Sequence, residues 1–373
     1  MTTLANIRVV VHANGVAAAY AARQLATLGA ECVLAEGPEG SSLRREAPFL
    51  PYLSGEDNKA SAVFASLCAG MVAETRDLTS AQGRAKFGEL LAGADIFIDD
   101  TPLAARAALG LDEAAIARQH PDLIHVSVLP FGAFGEKAGW KGEEITVLHA
   151  SGEGYLLPNG LTTELFPDRP PVKVHGHFTQ MQGGTAAALG ALSALWARDR
   201  LGGQYIDISC QDAGLAVGAF AIQRLGDGQI EDRFERSFRF GGVIECADGF
   251  VELLTLEQRQ WTGLVQLLGN PEWALDPDLA DSVARSRRGP EINRHIRAWF
   301  RERRVDDVVA AGQKLSVPLA RYYTPDEVLA DRHEAHRGLF QTVAVPGAGE
   351  LPVIVAPYHF DGAPLVLAGG PPA

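Results

Sequence analysis

Short apolar, β-branched runs alternate with Ala-rich stretches from the start of this chain. That alternation constrains the fold more than any other feature. Residues 7–11 (IRVVV) are apolar with no polar alternate, as in a strand buried on both faces of a parallel sheet. Asn14-Gly15 marks a turn. Residues 16–28 (VAAAYAARQLATL) read as a helix, and Gly29 is a natural terminator because glycine accepts the left-handed backbone of a helix end. Residues 32–35 (CVLA) return as a strand, and the unit recurs with strands over 95–99 (DIFID) and 125–129 (HVSVL). Repeated strand–helix–strand units predict an α/β fold with a Rossmann-like, doubly wound sheet.

Farther on, residues 183–200 read as one long, nearly continuous apolar helix, ended by Gly202-Gly203 and followed by a strand over 205–210. Near residue 225 the texture changes. Arg224–Gly242 is charged and Gly-rich, the composition of a linker. Residues 243–254 (VIECADGFVELL) predict a hairpin turning at Asp248-Gly249, and mostly helical patterns follow to about 335. The expected organisation is a large domain of residues 1–224 plus 336–373 and a smaller α+β lobe over 225–335.

With 373 residues, 47% hydrophobic and 21% charged, the composition is that of an ordinary globular protein. A net charge of −13 argues against nucleic acid and anionic membrane as partners. No apolar run approaches membrane-spanning length and the N-terminus has no signal-peptide shape, so a cytoplasmic location is expected. Cys32, Cys68, Cys210 and Cys246 are widely spaced with no CxxC pair, which suits buried thiols rather than a disulfide framework or a zinc site.

An ordered set of segments carries a resemblance: LGAECVLAE (28–36), ADIFIDD (94–100), HPDLIHVSVLPFG (120–132), EEITVLHASG (143–152), RPPVKV (169–174), GGQYIDIS (202–209) and TPDEVLAD (324–331). Together they resemble the family III CoA-transferases, the formyl-CoA and carnitine CoA-transferase group, from Arg8 to about His336. The resemblance implies an interlocked dimer, with each active site between the large domain of one chain and the small lobe of the other. It also implies a nucleophilic aspartate about eight residues after the Pro-Pro-Val-x-Val segment. That position holds Gln180. A carboxylate can attack a thioester and carry the acyl group covalently; a neutral carboxamide cannot.

Other family features are replaced as well. A Gln-Ala-Gly-Pro segment after the first strand corresponds here to Val16-Ala17-Ala18-Ala19. Basic Asn-Lys-Arg-Ser before the third strand corresponds to Gly70-Met71-Val72-Ala73, and Glu-Asn-Phe-x-Pro-Gly after the next strand to 99–104, beginning Asp99-Asp100. Losing two charge-assisted contacts weakens CoA binding by roughly 10²–10⁴, and the two aspartates add repulsion toward a phosphate. Arg44, in GSSLR, matches an arginine that follows the second strand in the family and is a candidate phosphate contact; a solvated loop arginine is the alternative. Lys59 is a candidate substitute for the lost lysine. Glu144 is the one carboxylate that the resemblance places beside Gln180, as a general base or substitute nucleophile; a carboxylate at a helix N-terminus is the alternative.

His175 and His177 flank Gly176 and would share one face of a strand, but no Asp, Glu or Cys nearby completes a metal site, so none is expected. Glu36 after the second strand suggests a nucleotide ribose contact, yet the GxGxxG fingerprint is absent. The expected function is a non-catalytic subunit of a heteromeric family III CoA-transferase that moves CoA between carboxylic acids. A homologous catalytic subunit would be its partner, a CoA thioester the substrate of the pair, and no cofactor would be tightly bound. Two alternatives remain: a homodimeric transferase, racemase or lyase acting through Glu144, and a non-enzymatic binding or regulatory protein on the same fold.

Overall fold

The computed structural model describes residues 3–51, 59–157, 172–218 and 239–373, with the isolated positions 168, 222, 226 and 228. Most of the stretch read as a linker, Arg224–Gly242, lies outside the described residues, as do residues 169–171 of the RPPVKV motif. The chain divides into two units, one of Met1–Gly154, Lys173–Phe220 and Arg332–Ala373, the other of Tyr155–Val172 and Ala221–Asp331.

Six parallel strands build the first unit: β1 (Arg8–His12), β2 (Glu31–Glu36), β3 (Met71–Thr75), β4 (Ile96–Asp99), β5 (Ile124–Leu129) and β6 (Tyr205–Ser209). Their spatial order is β3-β2-β1-β4-β5-β6. The order reverses between β1 and β4, and in open α/β sheets such a reversal opens a crevice beyond the carboxyl ends of the strands.

The helices that matter for the site are α1 (Val16–Thr27), α2 (Ala81–Ala92), α3 (Leu103–Leu109), α4 (Glu144–Ala150), α5 (Phe178–Leu201) and α6 (Cys210–Val217). Successive residues of β1 serve opposite faces of the sheet. Val9 and Val11 join a core with α1 and α5, whereas Val10 joins Phe87, Leu90 and Leu91 of α2. An uninterrupted apolar run is therefore what this strand needs. Small residues let the helices approach closely. A Cβ on Gly184 would come within 2.5 Å of the Ala17 carbonyl, and one on Gly183 within 2.5 Å of Cys210 Sγ.

The doubly wound α/β sheet expected from the sequence is present, and most boundaries agree within a residue or two. Gly29 follows α1 with φ +97°, in the left-handed region expected of a helix terminator. Three details differ. Helix α5 begins five residues before the apolar stretch at 183, so Gln180 lies in its first turn. Of the Gly70–Ala73 stretch read as lying before the third strand, only Gly70 precedes it, and Met71 opens β3. His175 and His177 do not share a strand face: the backbone bends at Gly176, φ +86°, and His177 is already the N-cap of α5.

The chain from 340 onward adds a ribbon, Phe340–Val345 paired antiparallel with Gly349–Ile354. Its Val343 and Val353 bury with Leu28 and Ala69, and the Arg23 guanidinium donates to the Ile354 carbonyl at 2.8 Å.

In the second unit, Gly242–Cys246 and Gly249–Leu253 form the expected antiparallel hairpin, but it turns through Ala247-Asp248, one residue before the expected Asp248-Gly249, and Leu319–Arg321 pairs alongside. Three helices, Gln258–Leu267, Gly289–Arg301 and Val305–Lys314, cover it around Ile244, Val251, Trp261, Leu264, Ile296 and Phe300. The helix 289–301 buries Ile292, Ile296 and Phe300, spaced four residues apart on one face. Among the described residues no helix is long and apolar enough to cross a membrane.

Candidate functional site

A cavity of about 500 Å³ opens beyond the carboxyl ends of β1, β4 and β5, at the place where the strand order reverses. Asn14 and Gly15 approach it from the β1–α1 turn, Asp100 and Leu103 from the end of β4, Trp140 from the loop before α4, and Gln180 from the first turn of α5. Most of the lining is apolar: Ala17, Pro102, Val128, Leu129, Pro130 and Val147. Cys210 also lines it, and burial pushes its thiol up to about 12, so that it stays protonated near neutral pH.

Gln180, the position the resemblance assigns to a nucleophile, is half-buried on the cavity wall. Its neighbour Glu144 is not part of that lining. Glu144 is buried, 4% exposed, and its carboxylate turns to the start of α5. Oε1 accepts from the Thr179 backbone N–H at 2.8 Å and Oε2 from the Gln180 backbone N–H at 3.1 Å. The first amides of a helix have no partner within it, and a carboxylate also complements the positive end of the helix dipole. Glu144 thus caps the helix that carries Gln180.

Asp100, read from the sequence with Asp99 as repelling a phosphate, lines the cavity. Its Oδ1 accepts from the Asn14 N–H at 3.0 Å, and its Oδ2 from the N–H groups of Asn14 at 3.0 Å and Gly15 at 2.5 Å. Gly15 is the N-cap of α1, and both amides lie in the turn ahead of the helix, where Asp100 accepts them from the end of the neighbouring strand. Burial pushes its carboxyl up to about 6, against the pull of those two amides and with Asp99 adding repulsion. A signal existed in the sequence: Asp100 stands one residue beyond an apolar strand, where such sheets hold their ligands.

Asp99, expected to face a phosphate, instead lies wholly buried. Its carboxylate bonds His125 Nε2 at 2.8 Å, lies 3.5 Å from the Arg106 guanidinium and accepts from the Thr101 N–H at 2.7 Å. Burial opposes its charge, but these partners hold its carboxyl below the usual carboxylate range. Arg106 continues the network to Ser127 Oγ at 2.6 Å and the Tyr205 hydroxyl at 3.1 Å.

Arg44 follows β2 in a short helical turn, and its guanidinium grips the Glu36 carboxylate through Nε at 2.9 Å and Nη2 at 2.8 Å. It also donates to the Ala373 carbonyl at 3.1 Å and lies over the Phe64 ring, 4.1 Å from the centroid. The two residues with nucleotide-contact readings, Arg44 and Glu36, are thereby each other's partners. Lys59 opens a short strand paired with Phe49–Pro51, and the placement of its side chain lies outside the description. All four cysteines are buried and free. Among the described residues no group of three or more His, Cys, Asp or Glu side chains is close enough to hold a metal ion.

Comparison with known proteins gives this architecture relatives. The chain is 31% identical over 348 residues to the probable CoA-transferase Rv1866 of Mycobacterium tuberculosis, a match that covers 87% of this chain and 40% of that protein. It thus spans less than half the length of that relative. It is 28% identical over 364 residues to the subunit BbsE of succinyl-CoA:(R)-benzylsuccinate CoA-transferase from Thauera aromatica, covering 94% of this chain and 87% of that one. A crystal structure of a CAIB/BAIF family protein from Brucella suis superposes with a TM-score of 0.85 at 27% identity, covering all of this chain and 96% of the other. The family model for CoA-transferase family III matches residues 4–373, so across both of its units this chain belongs to CoA-transferase family III.

Proposed function

We propose that this chain is the non-catalytic subunit of a heteromeric family III CoA-transferase that moves CoA between carboxylic acids. The observation that carries the reading is Gln180, a neutral carboxamide on the cavity wall at the position where the resemblance sets the nucleophilic aspartate. The neighbouring carboxylates do not replace it. Glu144 is engaged as the cap of α5, and Asp100 is held by the amides that open α1. A carboxylate bound in this way loses nucleophilicity, because attack would require breaking its hydrogen bonds. The name of the Thauera relative supports a heteromer, since that protein is a transferase subunit.

In this reading the catalytic aspartate and the CoA site reside on a homologous partner, interlocked with this chain as the family resemblance implies. The lobe 225–335, which keeps its packed core and the TPDEVLAD helix, supplies a wall for the partner's active site in the cytoplasm. CoA thioesters are substrates of the pair, and no tightly bound cofactor takes part.

The test is reconstitution. This chain and a homologue that keeps the aspartate are purified separately and after co-expression, then assayed for CoA transfer from succinyl-CoA to a panel of carboxylic acids. The reading requires activity in the pair and none in this chain alone. Robust transfer by this chain alone, lost on Glu144→Gln, would instead establish the Glu144 mechanism.

A further inference from the structure

The cavity beside Gln180 has an unusual charge arrangement for a chamber in this kind of crevice. Beyond the carboxyl end of β1, the turn into α1 presents backbone N–H groups that would suit an incoming anion. Here those of Asn14 and Gly15 are already bonded to a carboxylate of the protein itself, that of Asp100. The fit is close: a Cβ on Gly15 would lie 3.1 Å from Asp100 Oδ2. Around it the wall is apolar, with Ala17, Pro102, Leu103, Val128, Pro130 and Trp140, and the Cys210 thiol is neutral. The other charged lining residues, Lys141 and Glu143, are exposed and of opposite sign. The described lining therefore carries a net negative charge, Asp100 and Glu143 against Lys141, and its one cation is exposed.

We propose that Asp100 sets the ligand class of this cavity: by taking the amide cradle for itself, it leaves an apolar chamber that admits neutral or cationic small molecules and refuses carboxylates. Two like charges in a chamber poorly served by water repel much more strongly than in bulk solvent, whereas an ammonium gains from the same field. Trp140, which lines the chamber, offers an aromatic surface for the apolar part of such a ligand. The proposal deepens the reading of a chain whose own cleft does no CoA chemistry.

The experiment compares three six-carbon probes that differ only in the polar end: hexylamine, hexanamide and hexanoate. Binding to the full chain at pH 8 is followed by saturation-transfer NMR titration. Wild type should bind the amine and the amide at least roughly tenfold more tightly than the carboxylate, the scale of one unfavourable charge contact. Asp100→Asn should erase most of that difference, raising hexanoate affinity by roughly tenfold or more and lowering that of hexylamine. Equal affinity of wild type for hexanoate and hexanamide would overturn the proposal, and so would the absence of saturable binding by both hexanamide and hexylamine. If Asp100→Asn fails to fold, the wild-type series decides alone. CoA transfer by the reconstituted pair is a separate readout, so a failed charge preference leaves the subunit reading untouched.

Discussion

Replacing Glu144 by alanine should unseat the first turn of α5. The carboxylate accepts the buried backbone N–H of Thr179 and the half-buried one of Gln180, and is itself 4% exposed. Alanine reaches neither. A buried donor left unpaired costs about 1–3 kcal/mol, and removing a helix cap typically costs about 1 kcal/mol. Water entering the vacated space recovers part of the loss, so the net destabilisation is about 2–4 kcal/mol. At about 2 °C per kcal/mol for a chain of this size, Tm falls by roughly 4–8 °C. Glu144→Gln keeps one acceptor but turns an amide N–H toward the second donor, and should lose about half as much. The assay is thermal unfolding of both variants by circular dichroism, with CoA transfer by each variant in the reconstituted pair. The cap reading requires a graded Tm loss with turnover of the Gln variant near wild type below its melting point. An unchanged Tm in Glu144→Ala, or an unchanged Tm with abolished turnover in Glu144→Gln, would refute the structural argument.

Gln180→Asp alone should not confer CoA transfer on the purified chain in a chromatographic assay for the new acyl-CoA, because the segments around 16–19, 70–73 and 99–104 also depart from the family pattern. Burial raises the thiols of all four cysteines, those of Cys32 and Cys210 to about 12. A disulfide reagent at pH 8 should therefore label the native protein more than tenfold slower than the denatured one, which should release four equivalents. Asp100 titrates near 6 in the folded protein and near 3.9 unfolded. Because the folded-state value is raised, its contribution is fully present below about pH 4 and lost as pH rises through 6. Relative to wild type, Asp100→Asn should accordingly gain about 2 kcal/mol between pH 4 and pH 7 in urea unfolding, and a pH-independent difference would count against the raised value.

The sheet was legible because each strand is short, apolar and bounded by glycine or a polar turn, and burial on both faces leaves no competing pattern. The start of α5 was not legible. Phe178–Gln182 carries no periodic signal, and the group that caps it, Glu144, is distant in sequence. The same limit hid Asp100. An Asp-Asp pair after a strand reads as repulsion toward a ligand, but one carboxylate turns inward to His125 and Arg106 while the other holds the turn ahead of α1. Alternation of His175 and His177 suggested a shared strand face because sequence spacing cannot reveal the bend at Gly176. Arg44 was visible as a candidate, yet its pairing with Glu36 depends on how the turn after β2 folds back.

The polar network under the sheet also has a meaning for how the strands find one another. Asp99 is on β4, His125 and Ser127 are on β5, Tyr205 is on β6, and Arg106 of α3 reaches Asp99, Ser127 and Tyr205. In a strand, a slip of one residue turns every side chain to the opposite face. Moving β5 by one position against β4 would carry His125 and Ser127 away together and strand a buried aspartate and arginine, a penalty of several kcal/mol. Val126 and Val128, by contrast, could pack against apolar neighbours in more than one alignment. The hydrophobic residues drive these strands together, and the four polar ones, three of them read by a single arginine and His125 by Asp99, dictate which alignment survives.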